Sequence, residues 1–286
     1  MALRIAQRIG GEIVNYDSVQ IYRGFDIGSA KPTLAEQALV PHHLFDIADA
    51  DEEFHAAGYG LLAREVCAGI VSRGARPILV GGTFFYLRAF LSGLPEMPGR
   101  DEAVRARLAR VVARKGGAER LHQWLSKIDP RSGRKIAPAD RHRVERALEV
   151  WITSGRPISS WERATEDELP SLKIGLRVDR QTLVSRLDAR VDTMFRDGLV
   201  EETRSLLARF PTDARPFGTI GYKEAAAVVR GEMTEIDALA ETRRRTRAYA
   251  KRQMTWLRSE RNVHWVDSND GEDALASALR IIEDNS

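Results

Sequence analysis

Five short apolar runs constrain this chain most: EIVNY at 12–16, HLFDI at 43–47, PILV at 77–80, KIGLRV at 173–178 and VHWV at 263–266. Long stretches with helical spacing separate them. Short continuous apolar strands alternating with helices bury both faces best in a parallel sheet covered on either side. The expectation is an α/β chain with a parallel sheet core. Ahead of the first run, residues 2–9 read as a helix stopped by Gly10-Gly11. Arg4 and Arg8 without acids raise a transit peptide, but the stretch is not Ser-rich and runs directly into a strand.

Between Pro95 and Pro170 the texture changes. Three Trp, many Arg and helical spacing occur there without a convincing strand. This reads as a helical insertion at 97–165 within an α/β core formed by 1–96 and 166–286, with residues 166–170 as its exit. The 286 residues suffice for such a two-part fold, with 43% hydrophobic and 30% charged residues. Cys67 is the sole cysteine, so no disulfide can form within the chain, which fits a reducing cytoplasm. No apolar run approaches the ~20 residues that span a bilayer.

Candidate chemistry sits at strand ends. Ligands of open α/β sheets bind outside the carboxyl ends of strands. Asp17 falls at one such end and Gly81-Gly82-Thr83 at another. The glycines allow close backbone approach and the Thr hydroxyl can donate or accept. Plain alternatives stand beside these readings: Asp17 as a helix N-cap, and the glycines as a simple turn. Lys31, in the loop Gly28-Ser29-Ala30-Lys31-Pro32, either contacts a phosphate or RNA, or belongs to a solvated turn. His42, His43, Asp46 and His55 match no zinc spacing, and their reading is structural.

Two segments are basic. Arg141, Arg143 and Arg146 lie at helical spacing, with Glu145 and Glu149 able to neutralise part of them. A long helix from Thr234 to about Arg261, capped by Thr234, carries Arg243, Arg244, Arg245, Arg247, Lys251, Arg252, Arg258 and Arg261 against Glu241 and Glu260. Tyr249 and Trp256 interleave as flat partners for bases. On a chain of net charge only +3, so concentrated a patch points to nucleic acid.

Taken in order, DSVQIYRGFDIGSAKP at 17–32, PHHLFDI at 41–47, GGT at 81–83, RALEV at 146–150, GTIGYKE at 218–224 and AKRQMTWLR at 250–258 resemble the tRNA dimethylallyltransferase (IPP transferase) family over nearly the whole chain. The resemblance implies a P-loop NTPase-like α/β core with an inserted helical domain. It also implies transfer of a dimethylallyl group from dimethylallyl diphosphate to N6 of adenosine 37 in the tRNA anticodon stem-loop, by a cytoplasmic monomer. Asp17 would then be the base, with Thr83 and Arg190 at the diphosphate, aided by Mg²⁺. The alternative for Arg190 is a surface arginine paired with Asp188 or Asp192. By the same resemblance tRNA meets Asp17, Ser18, Val19 and Gln20. It also meets Arg105, His142, Arg143, Val144, Glu145 and Arg146. Further contacts fall at Gly218, Thr219, Ile220, Gly221, Tyr222 and Lys223, and at Lys251, Arg252, Gln253, Met254, Thr255, Trp256, Leu257 and Arg258.

One departure stands out. Family members begin with a strand and a loop of the form GPTxSGK[ST] ahead of the helix at 2–9. No such loop occurs in these 286 residues, and Lys31 is the only lysine before Arg100. A start assigned roughly 20 residues late is favoured over a real truncation that impairs the enzyme, because every later motif is intact. Two rival readings are a P-loop small-molecule kinase and a non-catalytic tRNA-binding remnant.

Overall fold

In the computed structural model, which describes residues 1–161 and 169–285, the chain divides into two units. One is Met1–Leu91 with Leu169–Ser286, the other Ser92–Glu168. The exit of the insertion, expected at 166–170, lies largely outside the described residues.

The first unit opens with α1 (Ala2–Ile9), which ends where Gly10 takes φ 63°. Strand β1 (Gly11–Asn15) follows at once, and every one of its residues is buried. Next come α2 (Leu34–Gln37), β2 (His42–His43), α3 (Ala56–Ser72), β3 (Arg76–Val80) and α4 (Phe84–Ser92). β1 is the middle strand, parallel to β2 on one side and β3 on the other, with Ile13 opposite both His42 and Ile78. The strand expected at 43–47 is therefore displaced and shortened. Leu44 (φ 63°) and Asp46 (φ 53°) take left-handed conformations that end an extended run.

At the carboxyl end of β3 the two neighbours close up. Tyr16 N–H donates to the Val80 carbonyl at 2.9 Å. One residue on, a Cβ on Gly81 would lie 2.7 Å from the Tyr16 carbonyl carbon and 2.8 Å from the Asp17 nitrogen. Only a glycine lets the β3 exit lie against the Tyr16–Asp17 peptide.

The second unit is helical, with α5 (Glu102–Val112), α6 (Gly117–Ile128), α7 (Pro130–Lys135) and α8 (Arg141–Ser154). Leu108, Leu121, Leu125, Ile136, Val144, Ala147 and Leu148 form its core. Glu149, fully buried, is an ionic centre. It accepts two hydrogen bonds from Arg105 at 2.8 and 3.1 Å, one from Arg146 at 2.7 Å and one from Asp101 N–H at 2.9 Å. Burial by itself would raise the Glu149 pKa, but these donors together lower it from 4.5 to about 2.

The first unit resumes with β4 (Lys173–Arg177), α9 (Arg180–Arg196), α10 (Leu199–Leu207), α11 (Tyr222–Val229), α12 (Glu235–Ser259), β5 (Val263–Asp267) and α13 (Gly271–Asp284). α12 begins as expected, with the Thr234 side chain accepting from Asp237 N–H. β4 and β5 pair in parallel. One sheet was the expectation; the described residues make two, because β3 pairs only with β1 and β4 only with β5. Ile5, Val266, Ala274, Leu275 and Ala278, with Ile78 and Ile174 against them, join α1, α13 and strands of both sheets in one apolar cluster.

Two stability outcomes follow. Gly81→Ala should lower stability by about 1–3 kcal/mol, read as a lower urea midpoint at constant slope; an unchanged midpoint would mean the β1–β3 approach is slack. Glu149→Ala, which strands two arginines, should cost about 3–5 kcal/mol. A depressed carboxylate stabilises above its unfolded pKa and loses that contribution as pH falls to the folded value. The parent protein should therefore lose stability from about pH 4.5 to about 2, and Glu149→Ala should flatten that decline in acid titrations.

Candidate active site

Asp17 is held by its neighbours on every side but one. Asn15, fully buried at the end of β1, accepts Asp17 N–H on Oδ1 at 2.8 Å and donates from Nδ2 to the Leu44 carbonyl at 2.9 Å. The left-handed turn at Leu44 thus supplies the acceptor that Asn15 needs. Tyr59 donates to the Asn15 carbonyl at 3.0 Å. Asp17 Oδ1 in turn accepts Val19 N–H at 2.8 Å and Gln20 N–H at 3.4 Å. This is the N-cap-like turn that the sequence allowed, yet Oδ2 keeps no protein hydrogen bond among the described residues. Burial raises the Asp17 pKa, opposed by the two backbone donors and by the charge of Arg190.

Thr83 reaches the same turn from β3. Its Oγ1 accepts Ser18 N–H at 3.0 Å and donates to Ser18 Oγ at 3.1 Å. Its carbonyl accepts Tyr86 N–H at 2.8 Å, opening α4. The strand-end acid and the Gly-Gly-Thr loop therefore converge, as read from their positions.

Arg190, on α9, is exposed as a residue, but its charged end is crowded enough that burial lowers its pKa, with Asp17 acting the other way. Its one hydrogen bond among the described residues, to the Ser29 carbonyl, is 3.5 Å long and weak. The alternative pairing with Asp188 or Asp192 fails, because those acids are taken by Arg247 and Arg243 of α12. Arg190 also lines a cleft of about 550 Å³ with the loop carrying Ile27, Ala30 and Lys31. Lys31 is not a free cation there. Its buried ammonium binds Asp26 at 2.6 Å, Asp46 at 2.5 Å and the Tyr22 carbonyl at 2.8 Å, so it joins two sequence motifs instead of awaiting a phosphate.

The basic helix α12 divides into parts the sequence did not separate. Arg243 and Arg247 pair with α9, Arg245 with Glu224 of α11, and Arg244 with Glu241. Three of the seven cations of α12 thus staple it to neighbouring helices, and a fourth, Arg244, pairs within it. Beyond Arg247 the helix has two faces. Lys251, Arg252, Thr255 and Arg258 are exposed, and the three cations have no acid partner among the described residues. Tyr249, Gln253 and Trp256 face inward. Tyr249 Oη and Gln253 Nε2 donate to the Gly82 carbonyl at 2.9 and 3.1 Å. Trp256 stacks on Phe84 at 4.7 Å and 9°, with the Arg88 guanidinium 4.6 Å from its ring. The two aromatics expected to receive bases are therefore engaged with the Gly82 loop and α4; Met254 and Leu257 are half-buried.

The remaining expected RNA residues sort the same way. Gln20 holds the loop carbonyls of Ser29 and Ala30, while Ser18 and Val19 stay half-exposed. Gly218 and Lys223 are exposed, and Thr219 and Ile220 half-buried. Gly221 and Tyr222 are buried; Tyr222 donates to Glu202 at 2.5 Å and accepts Gly28 N–H at 3.1 Å. In the helical unit His142 and Arg143 are exposed and Glu145 half-buried. Arg105 and Arg146 are committed to Glu149, and Val144 lies in the core. The buried ones cannot offer side chains to RNA. Among the histidines, His43 binds Glu12 at 2.6 Å and His42 the Val40 carbonyl. Sequence reasoning missed Asn15, although a polar residue closing an apolar strand was a visible signal.

The IPP transferase family model matches residues 20–260. A tRNA dimethylallyltransferase of Geobacter sulfurreducens is 43% identical over 97% of this chain and 90% of its own length, and one from Solibacter usitatus 47% identical over 93% and 87%. Among solved structures, a full-length tRNA isopentenylpyrophosphate transferase from Bacillus halodurans aligns with TM-score 0.71 and 37% identity, covering 99% of this chain and 90% of that one. A eukaryotic dimethylallyltransferase described as acting on tRNA aligns with TM-score 0.77 and 26% identity, covering 98% and 73%. With its P-loop NTPase-like α/β core, the acid turn at Asp17 and the converging Thr83 loop, the chain belongs to the IPP transferase family.

Proposed function

We propose that this chain transfers a dimethylallyl group from dimethylallyl diphosphate to N6 of adenosine 37 in the anticodon loop of tRNA. The observation that carries the reading is the presence near one another of Asp17, with one carboxylate oxygen unengaged, and Arg190, a cation whose charge favours the Asp17 carboxylate and which is bound to no acid among the described residues. The N6–C1 bond forms as the C1–O bond to diphosphate breaks. The N6 proton passes to Asp17 Oδ2 and the electron pair leaves with diphosphate. N6 is a poor nucleophile because its lone pair is delocalised into the ring, so a positioned base matters. Charge grows on the leaving diphosphate, and Arg190 and the Thr83 hydroxyl are the groups at hand to stabilise it. The base must be splayed from its loop to reach Asp17. The cytoplasm, where tRNA is modified, is the proposed location.

Mg²⁺, which the family implies, would find few protein ligands at this site. Among the described residues no three His, Cys, Asp or Glu side chains gather to hold a metal, and Asp17 gives one of its oxygens to backbone donors. Magnesium commonly rests on substrate phosphates with one or two protein oxygens, so the ion would sit mainly on the diphosphate here, and no step above runs through it.

Anticodon stem-loop RNA should bind with an affinity that falls with salt. Lys251, Arg252 and Arg258 alone would give a slope of about −2 to −3 in log K against log salt. A folded protein that ignores RNA would overturn the reading, and ATP-dependent phosphorylation of a metabolite would favour a kinase. Asp17→Asn should cut single-turnover transfer about 100-fold or more with RNA binding kept. Because burial raises the Asp17 pKa and the base must be ionised, the acid limb of the transfer rate should lie above that of an ordinary aspartate. Arg190→Gln should move it higher still, since the guanidinium favours the carboxylate. An acid limb that does not respond to Arg190→Gln would remove Asp17 as the titrating base.

A further inference from the structure

We propose that Tyr249, with Gln253 beside it, is a positioning residue for this transfer: the two side chains clamp the Gly82 carbonyl and thereby hold Thr83 and Ser18 against Asp17. The proposal rests on the reading of Asp17 and Thr83 given above.

The geometry forms one continuous chain. Tyr249 and Gln253 lie four apart on the inward face of α12, and both donate to a single acceptor, the Gly82 carbonyl, at 2.9 and 3.1 Å. A Cβ on Gly82 would meet the end of the Gln253 amide and push it off the carbonyl. The next residue is Thr83, whose carbonyl is fixed from the other side by Tyr86 N–H. Its hydroxyl is bonded twice to Ser18, and Ser18 is the first residue of the turn that closes on Asp17 Oδ1. A loop carbonyl with one donor can pivot; one with two donors from a rigid helix has its peptide plane set. Rotation of that plane would carry Thr83 Oγ1 away from Ser18 N–H and loosen the acid.

The arrangement also gives the second glycine of Gly-Gly-Thr its own reason. Gly81 admits the Tyr16–Asp17 peptide, and Gly82 admits the Gln253 amide. It further links the helix bearing Lys251, Arg252 and Arg258, which have no acid partner among the described residues, to the reacting groups through its opposite face.

The test compares the parent chain with Tyr249→Phe and, separately, Gln253→Met. Each variant keeps the side-chain bulk and removes one donor. Single-turnover transfer is measured with excess protein, dimethylallyl diphosphate and saturating anticodon stem-loop RNA, alongside RNA affinity and exchange of the Ser18 amide followed by NMR. The expected result is transfer slowed about tenfold, RNA affinity within about twofold of the parent, and faster Ser18 exchange. Transfer at the parental rate in both variants overturns the proposal, whatever the exchange shows. So does a loss confined to RNA affinity, which would make the two residues RNA contacts. If the parent itself transfers no dimethylallyl group, the functional reading fails, and Ser18 exchange alone then decides the clamp: faster exchange supports it and unchanged exchange overturns it.

Discussion

The parallel pairing of β1 with β3, closed by the contact of Gly81 with the Tyr16–Asp17 peptide, governs where every other part of the site can lie. Two strands that end side by side bring their following loops together, and a loop-to-loop bond such as Ser18 to Thr83 becomes possible only then. A side chain at position 81 would hold the loops apart by the width of a methyl group. That distance separates a hydrogen bond from none.

The convergence places polar groups where water is scarce, and the fold answers most of them with a partner. Asn15 is the central case. Its side chain uses both ends, taking Asp17 N–H and giving to the Leu44 carbonyl, so a fully buried amide costs little. Lys31 is handled likewise, by two carboxylates and a carbonyl. Against this background the groups left unsatisfied are informative. Asp17 Oδ2 has no protein donor among the described residues, and Arg190 has one long bond to a carbonyl. Protonation equilibria are strained where function is expected, and the raised Asp17 pKa fits that pattern.

α12 carries a second lesson about charge. Single arginine–carboxylate pairs near the surface contribute little each, yet three along one helix fix its placement against α9 and α11. The remaining cations, past the staples, face outward over a helix whose inner side is seated on the Gly82 loop and α4. One helix therefore has a structural half and a half available to an anionic partner.

The residues that were legible in the sequence are those whose role follows from local periodicity or turn chemistry. The Gly10 stop of α1, the Thr234 cap of α12, the short parallel strands and the helical spacing of α5, α6 and α8 all follow from such rules, and the ordered motifs carried the family. The length of β2 was not legible, because Leu44 and Asp46 adopt left-handed conformations to serve contacts elsewhere in the chain. Nor were the partners of the arginines: Arg247 and Lys251 look alike at four-residue spacing, but only one meets an acid from α9. Tyr249 and Trp256 read as open aromatic platforms until α4 and the Gly82 loop closed on them. The sequence by itself determined which segments become helix and strand, since those choices depend on neighbours along the chain. Which charges stay free and which polar atoms converge on Asp17 was decided only by the tertiary structure, because ion pairs and hydrogen bonds act over a few ångströms between residues tens to hundreds of positions apart.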